Sequence, residues 1–257
     1  MTHHENYKEL IWALAKTDFK LRYQGSVLGY VWAILNPLLV FTILNFVFSS
    51  IFARGSGIKH YALQLLVAII LFNFFSEGTK AGMASLISKS SLVTKIYVPR
   101  WTIIAASTIN SAMIFIMNLI VIVLFFIWKQ FTPSFEAILL FLFFSILTYV
   151  IILAFSFFTA PLYVKFRDLL MIWGVLTMIL FYATPIIYPL QRLPEYVQQI
   201  ILISPIAFII HFTKEALIDN HFPELWQTGI FILATLLFFA SGIFVYKKTV
   251  PGIAEEI

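Results

Sequence analysis

KLRYQGSVLGYVWAILNPLL, residues 20–39, sets Lys20 and Arg22 and then Gly25 directly ahead of a long apolar run that contains Pro37. The charged start is unlike a secretory leader, and the proline interrupts a simple anchor. The apolar run begins only after about 27 residues, is longer than the core of a signal peptide and has no small-residue cleavage pattern before it, so an uncleaved first span is expected. The reading that fits is an elbow. Gly25 permits the chain to turn from a helix lying along a membrane surface into one that crosses it, and Pro37 removes a backbone hydrogen bond within that span, where a kink is expected.

Composition points the same way. The chain is 61% hydrophobic and 11% charged, and 28 of its 257 residues are Phe, too little polar surface to cover a soluble globule. Several apolar runs reach the roughly 20 residues that cross about 30 Å of hydrocarbon. The absence of cysteine excludes a disulfide framework, a thiolate metal site and a cysteine nucleophile. The net charge of +5 does not call for nucleic acid, because the cations cluster between apolar runs, where they set orientation.

Apolar runs bounded by charge, Gly or Pro place six spans at 28–52, 61–79, 101–128, 136–164, 168–187 and 226–246. Alternate sides then hold 12 and 5 of the 17 Lys and Arg residues, which puts both termini in the cytoplasm. The expected fold is all-α and integral to the membrane: a single transmembrane domain over residues 1–257 with six transmembrane helices, an N-terminal amphipathic interface helix and a re-entrant half-helix pair between spans five and six.

The interface helix is expected over residues 4–24, with Glu9, Lys16 and Lys20 on one face and Tyr7, Leu10, Ile11, Leu14 and Leu21 on the other; a plain cationic lead-in is the alternative. Residues 83–95 read as a short helix, too short to span, that stops near Pro99. It would lie on the surface, dock on another protein or merely cap two spans. Residues 189–220 hold two apolar stretches, each near half a bilayer long, with Pro194 and Pro205 suited to first helical positions and Ser204 to an N-cap. A single span there would bury His211, Lys214 and Glu215 in hydrocarbon at roughly 2.5–3.5 kcal/mol per charge, so a pair that dips in and returns fits better.

No phosphate loop, metal-ligand cluster or nucleophile motif stands out. If ATP is consumed, another chain must bind it. Glu77 and Lys80, three residues apart, are expected to pair, and Arg167 and Asp168 to anchor the junction of spans four and five. Tyr30, Trp32, Trp101, Trp128, Trp173 and Trp226 read as interfacial belts, with a conduit lining for sugar rings as the alternative.

Three stretches carry a family resemblance: Lys20-x-Arg22-Tyr23-x-x-Ser26-x-Leu28-Gly29-x-x-Trp32 leading to Asn36-Pro37-Leu38; residues 92–100, LVTKIYVPR; and Arg167-Asp168-Leu169 followed by Thr184-Pro185-Ile186-Ile187-Tyr188 and Ser204-Pro205. The chain resembles the membrane permease subunit of type-2 ABC exporters, in the branch exporting O antigen, capsule or teichoic acid. The resemblance implies a homodimer with two copies of a separate nucleotide-binding ATPase, which holds ATP and Mg while this chain binds no cofactor, in the bacterial inner membrane. It implies that Leu86, Ser88, Lys89, Leu92 and Lys95 couple to the ATPase. Trp12, Arg22, Tyr23, Tyr30, Trp32 and Pro37 would form the gate that admits a lipid-linked polysaccharide, and Thr184, Pro185, Tyr188 and Pro205 the outer gate. The rivals are an exporter of the same type carrying a drug, haem or lipid, a membrane glycosyl- or acyltransferase, and a self-sufficient channel.

Overall fold

The computed structural model describes residues 7–52, 60–90 and 98–250, without the side chain of Tyr23. The described residues form helices and turns and no strand. In order these are α1 (Tyr7–Tyr23), α2 (Val31–Phe52), α3 (Tyr61–Ser88), α4 (Arg100–Trp128), α5 (Phe135–Lys165), α6 (Leu169–Ala183), a 3-10 turn (Leu190–Arg192), α7 (Glu195–Leu202), α8 (Pro205–Lys214), a π-helical turn (Glu215–Asp219) and α9 (Leu225–Thr249). Among them α2, α3, α4, α5 and α9 are each long and apolar enough to cross a membrane. The sixth apolar helix, α6, has 15 residues and falls short of the usual 20; the turn at 184–188 completes that strip.

The elements start and stop where local chemistry directs. Ser134 caps α5 through its Oγ, which accepts from the Ala137 amide at 3.2 Å, and Glu224 and Gln227 form a reciprocal capping box at the start of α9. Hydroxyls inside the bundle bond back along their own helices: Thr79 to the Phe75 carbonyl, Thr148 to Phe144 and Ser156 to Ile152. With no water in hydrocarbon, that is how a serine or threonine is accommodated on a spanning helix.

α3 is the centre. Of its span 78% is buried, against 17% for α2 and for α9, and it packs on α2, α4, α5, α6 and α8. Its approach to α5 is close enough that a Cβ on Gly82 would sit 1.9 Å from Ser156 Oγ and 2.5 Å from Ser156 Cβ. Gly78, one turn earlier, faces Ile152 in the same way, a small-xxx-small contact of the kind that brings membrane helices together.

α7 and α8, of 8 and 10 residues, are each near half a bilayer in length and are bent against one another by 112°, so the chain turns back instead of crossing. Pro205 occupies the first turn of α8 as expected, but Pro194 is the N-cap of α7 and not its first helical residue. The first turn of α8 follows Ser204, whose side chain makes no capping bond.

Two boundaries differ from expectation. α3 continues to Ser88, so residues 83–88 are the end of the second spanning helix and not the start of a separate short one. Glu77 and Lys80 look like a membrane exit, yet 28 residues extend about 42 Å at 1.5 Å per residue, well past the hydrocarbon. Leu92 and Lys95 lie outside the described residues, as do residues 4–6.

α1, the start of α4 and the end of α9 share one end of the bundle. Tyr7 meets Trp101 edge-to-face with centroids 5.7 Å apart, and Arg100 donates to the Val250 carbonyl at 2.5 Å.

The α3–α5 contact gives a direct stability test. Gly82→Leu is expected to cost about 1–3 kcal/mol by overpacking and to lower the thermal midpoint in detergent, read by size-exclusion of heated samples. Gly174→Ala, where nothing lies within 4 Å of the added carbon, should leave the midpoint unchanged.

Candidate functional site

The elbow between α1 and α2 turns at Gly25, whose φ of 82° lies in the left-handed region open to glycine. The turn is clasped by Phe19 and Tyr30, stacked with centroids 5.1 Å apart and planes 9° from parallel. α1 rests on α4 through Leu10, Ile11, Leu14 and Ala15, of which Ala15 is fully buried. Leu21, expected on the same face, is exposed and borders the open cavity between α1 and α3. Trp12 is also exposed and lies away from the packed face.

Two ion pairs fasten α1 to α3. Arg22 donates through Nη2 to the Glu77 carboxylate at 2.6 Å. Glu77 therefore pairs across helices and not with Lys80 on its own, since the guanidinium reaches it in better geometry. The Lys89 ammonium, at the C-cap of α3, donates to the Asp18 carboxylate and to Ser107 Oγ at 3.2 Å, joining α1, α3 and α4. The Lys89 and Asp18 side chains are only 12% and 21% exposed, against 39% and 50% for Arg22 and Glu77. The Lys89–Asp18 pair is thus the stronger tie, since solvent screens an exposed one.

The residues expected to face an ATPase are placed differently from one another. Leu86 is fully buried among Ile103, Ile104, Ala160 and Val164, a packing position with no face for a partner. Ser88 bonds back to Ser85 at 3.1 Å, and Lys89 is committed to Asp18. Ser88 is the exposed one of these three, at the end of α3.

Pro37 stands within α2 and withholds the amide that would serve the Ala33 carbonyl. Asn118 of α4 supplies a donor in its place, Nδ2 to Ala33 O at 3.3 Å, while also donating to Ile114 O at 2.9 Å. Behind the elbow, between α2, α3 and α4, lies a cavity of about 100 Å³ bordered by the Arg22–Glu77 pair, Trp32 and Asn36. Tyr23 contributes its backbone to the last turn of α1.

At the opposite end, the turn after α6 is held against α8. The buried Lys214 ammonium donates to the Pro185 carbonyl, and Tyr61 donates to Ile187 O at 2.9 Å. Tyr188 closes the turn onto Ala183 O at 2.7 Å, and the Thr184 hydroxyl is buried. Thr184, Pro185 and Tyr188 are therefore brought together against the end of α8 at Lys214, while Pro205 is exposed at the other end of that helix. Lys214 avoids hydrocarbon by burial in protein. Arg167 and Asp168 are exposed between α5 and α6, Asp168 at the N-cap position of α6. Trp173 is no belt residue: it packs on Phe155 with centroids 4.2 Å apart and planes tilted by 32°, and donates to Thr79 Oγ1 at 3.0 Å.

Asp18, Ser107, Ser111 and Asn118 were not singled out from sequence. Asp18 is an acid within the apolar stripe of α1, and STINSA, residues 107–112, is a run of small polar residues inside a span. Both are signals of an interior contact.

The family described as ABC-2 type transporter matches residues 9–217. Among relatives, an O-antigen export system permease protein RfbA of Klebsiella pneumoniae is 28% identical, covering 96% of this chain and 94% of its own. A protein of the same name from Myxococcus xanthus is 24% identical over 94% of each chain. The polysialic acid transport protein KpsM of Escherichia coli is 22% identical over 95% of this chain and 94% of its own.

The two ties differ in burial, and that difference is measurable. Asp18→Asn or Lys89→Met should lower stability by about 2–4 kcal/mol, between the surface and fully buried values, whereas Glu77→Gln should cost about 1 kcal/mol or less. Exchange of the first pair, Asp18→Lys with Lys89→Asp, should recover much of the loss in thermal unfolding.

Proposed function

The chain belongs to the ABC-2 type transporter family, and from that membership and its architecture we infer that it is the membrane permease of an ATP-driven exporter of surface polysaccharide. The observation that carries this reading is similarity along nearly the whole of both chains to permeases named for O-antigen and polysialic acid transport. The cargo is a lipid-linked glycan, O antigen or a similar polymer. The protein sits in the bacterial inner membrane with both termini in the cytoplasm, the side favoured by 12 of its 17 cations.

Energy comes from a separate ATPase. A single six-span bundle encloses no polymer-wide pore, so two copies form a C2 channel, each with one ATPase subunit that holds ATP and Mg. Force enters through the segment after α3, whose last residue before it, Lys89, is tied to Asp18. Movement there is passed to α1 and so to the elbow at Gly25. α1 thus acts as the gate on the cytoplasmic side, and the turn at 184–188 with α7 and α8 as the gate on the outer side. Arg22, engaged by Glu77, orients this gate and meets the pyrophosphate of the lipid carrier only when that pair opens.

Deletion of the coding sequence should abolish surface glycan, with lipid-linked polymer accumulating inside the cell, and an affinity-tagged copy should purify with an ATPase. The isolated chain in vesicles should hydrolyse no ATP. Unchanged surface glycan in the deletion strain would overturn the assignment.

A further inference from the structure

The cavity behind the elbow is polar in a place where the surrounding helices are apolar. Ser111 and Asn118, 2% and 6% exposed, line it, and Ser111 Oγ and Asn118 Oδ1 have no hydrogen-bond partner among the described residues. Asn118 cannot turn to relieve this, because its Nδ2 is held by the Ile114 and Ala33 carbonyls. Its oxygen is therefore a fixed acceptor. Asn36 and Asn73 add amides to the walls, and Trp32 lines both this chamber and a wider mouth of about 390 Å³ that it shares with Arg22, Ser26 and Asn36.

The lining carries one cation and one anion, Arg22 and Glu77, and they neutralise each other. An anionic ligand would meet the Glu77 carboxylate, and an apolar one would leave two buried oxygens unmatched. What complements the cavity is a neutral ring bearing adjacent hydroxyls. Its hydroxyls donate to Asn118 Oδ1 and exchange hydrogen bonds with Ser111 Oγ and the amides, while its C–H face lies on the indole of Trp32. The inner chamber admits the hydroxylated edge of such a ring and the mouth admits the rest.

We propose that this cavity is a recognition site for one neutral sugar ring of the exported polysaccharide, inserted edge-first toward Ser111 and Asn118. The proposal rests on the polysaccharide reading above. The same hydroxyl chemistry could come from the glycerol headgroup of a phospholipid, and the test separates the two.

The full-length protein in phosphatidylcholine nanodiscs is probed with methyl glucoside, methyl galactoside and N-acetylglucosamine by saturation-transfer NMR. Transfer to the ring protons of at least one probe is expected in the wild type. Ser111→Val, which fills the chamber and breaks no existing hydrogen bond, should reduce it about fivefold or more, and Ser111→Ala about threefold. Both should lower surface glycan in cells at unchanged protein level and thermal midpoint. No transfer to any probe in the wild type, or equal transfer in Ser111→Val, overturns the proposal. So does loss of transfer when phosphatidylglycerol replaces phosphatidylcholine, which would make a lipid headgroup the occupant. A deletion strain that keeps its surface glycan takes down the transport reading itself; one that loses it, while Ser111→Val exports and binds as wild type, removes only the cavity assignment.

Discussion

The close approach of α3 to α5 is the contact on which the bundle depends. Between helices in lipid the hydrophobic effect supplies little, so association rests on backbones coming near enough for dense van der Waals contact. Gly78 and Gly82 form the groove, and Ile152 and Ser156 of α5 fill it. With α3 held at the centre, its polar groups fall beside partners: Thr79 accepts from Trp173, Glu77 accepts from Arg22, and Gln64 donates to Asp219 at 3.5 Å. The central helix can carry these groups because protein, and not lipid, surrounds it.

α1 is then positioned by charge. Asp18 and Arg22 are four residues apart on α1, and their partners are Lys89 at the end of α3 and Glu77 twelve residues earlier, with signs reversed. Were α1 to run the other way along α3, Asp18 would face Glu77 and Arg22 would face Lys89, so like charges would meet in a partly buried setting where they cost most. The apolar stripe of α1 seats it on α4, and the two ties hold it to α3. A cavity of about 510 Å³ between α1 and α3, bordered by Leu14, Ala81 and Ala84, leaves these two ties as the principal link between them. Side-chain charge, more than packing, therefore relates the interface helix to the end of the central span.

Much of this was legible in the sequence, and the reasons divide cleanly. Long apolar runs reported the spanning helices, the Gly25 elbow reported itself through its flanking charges, and two half-length apolar stretches divided at Ser204-Pro205 reported the broken pair. Charges were less reliable as boundary marks. Glu77 and Lys80 suggested an exit from the membrane, although α3 simply continues and uses Glu77 to hold another helix. Trp173 looked like a belt residue because tryptophan favours interfaces, yet Phe155 and Thr79 give it both an apolar face and a hydrogen-bond acceptor inside the bundle. The candidate site was the least legible part, since Ser111 and Asn118, two turns apart on α4, acquire meaning only when α2 and α3 close a cavity over them.

Pro37 and Asn118 connect the elbow to that cavity. The proline leaves the Ala33 carbonyl without its helical donor, and an unpaired carbonyl within a bilayer is costly; Asn118 answers it from α4. Committing Nδ2 in this way turns the other end of the amide toward the cavity as a fixed acceptor. A displacement of the Ala33 carbonyl would carry the orientation of Asn118 with it. The same side chain thus links the backbone of the first span to the chamber behind it.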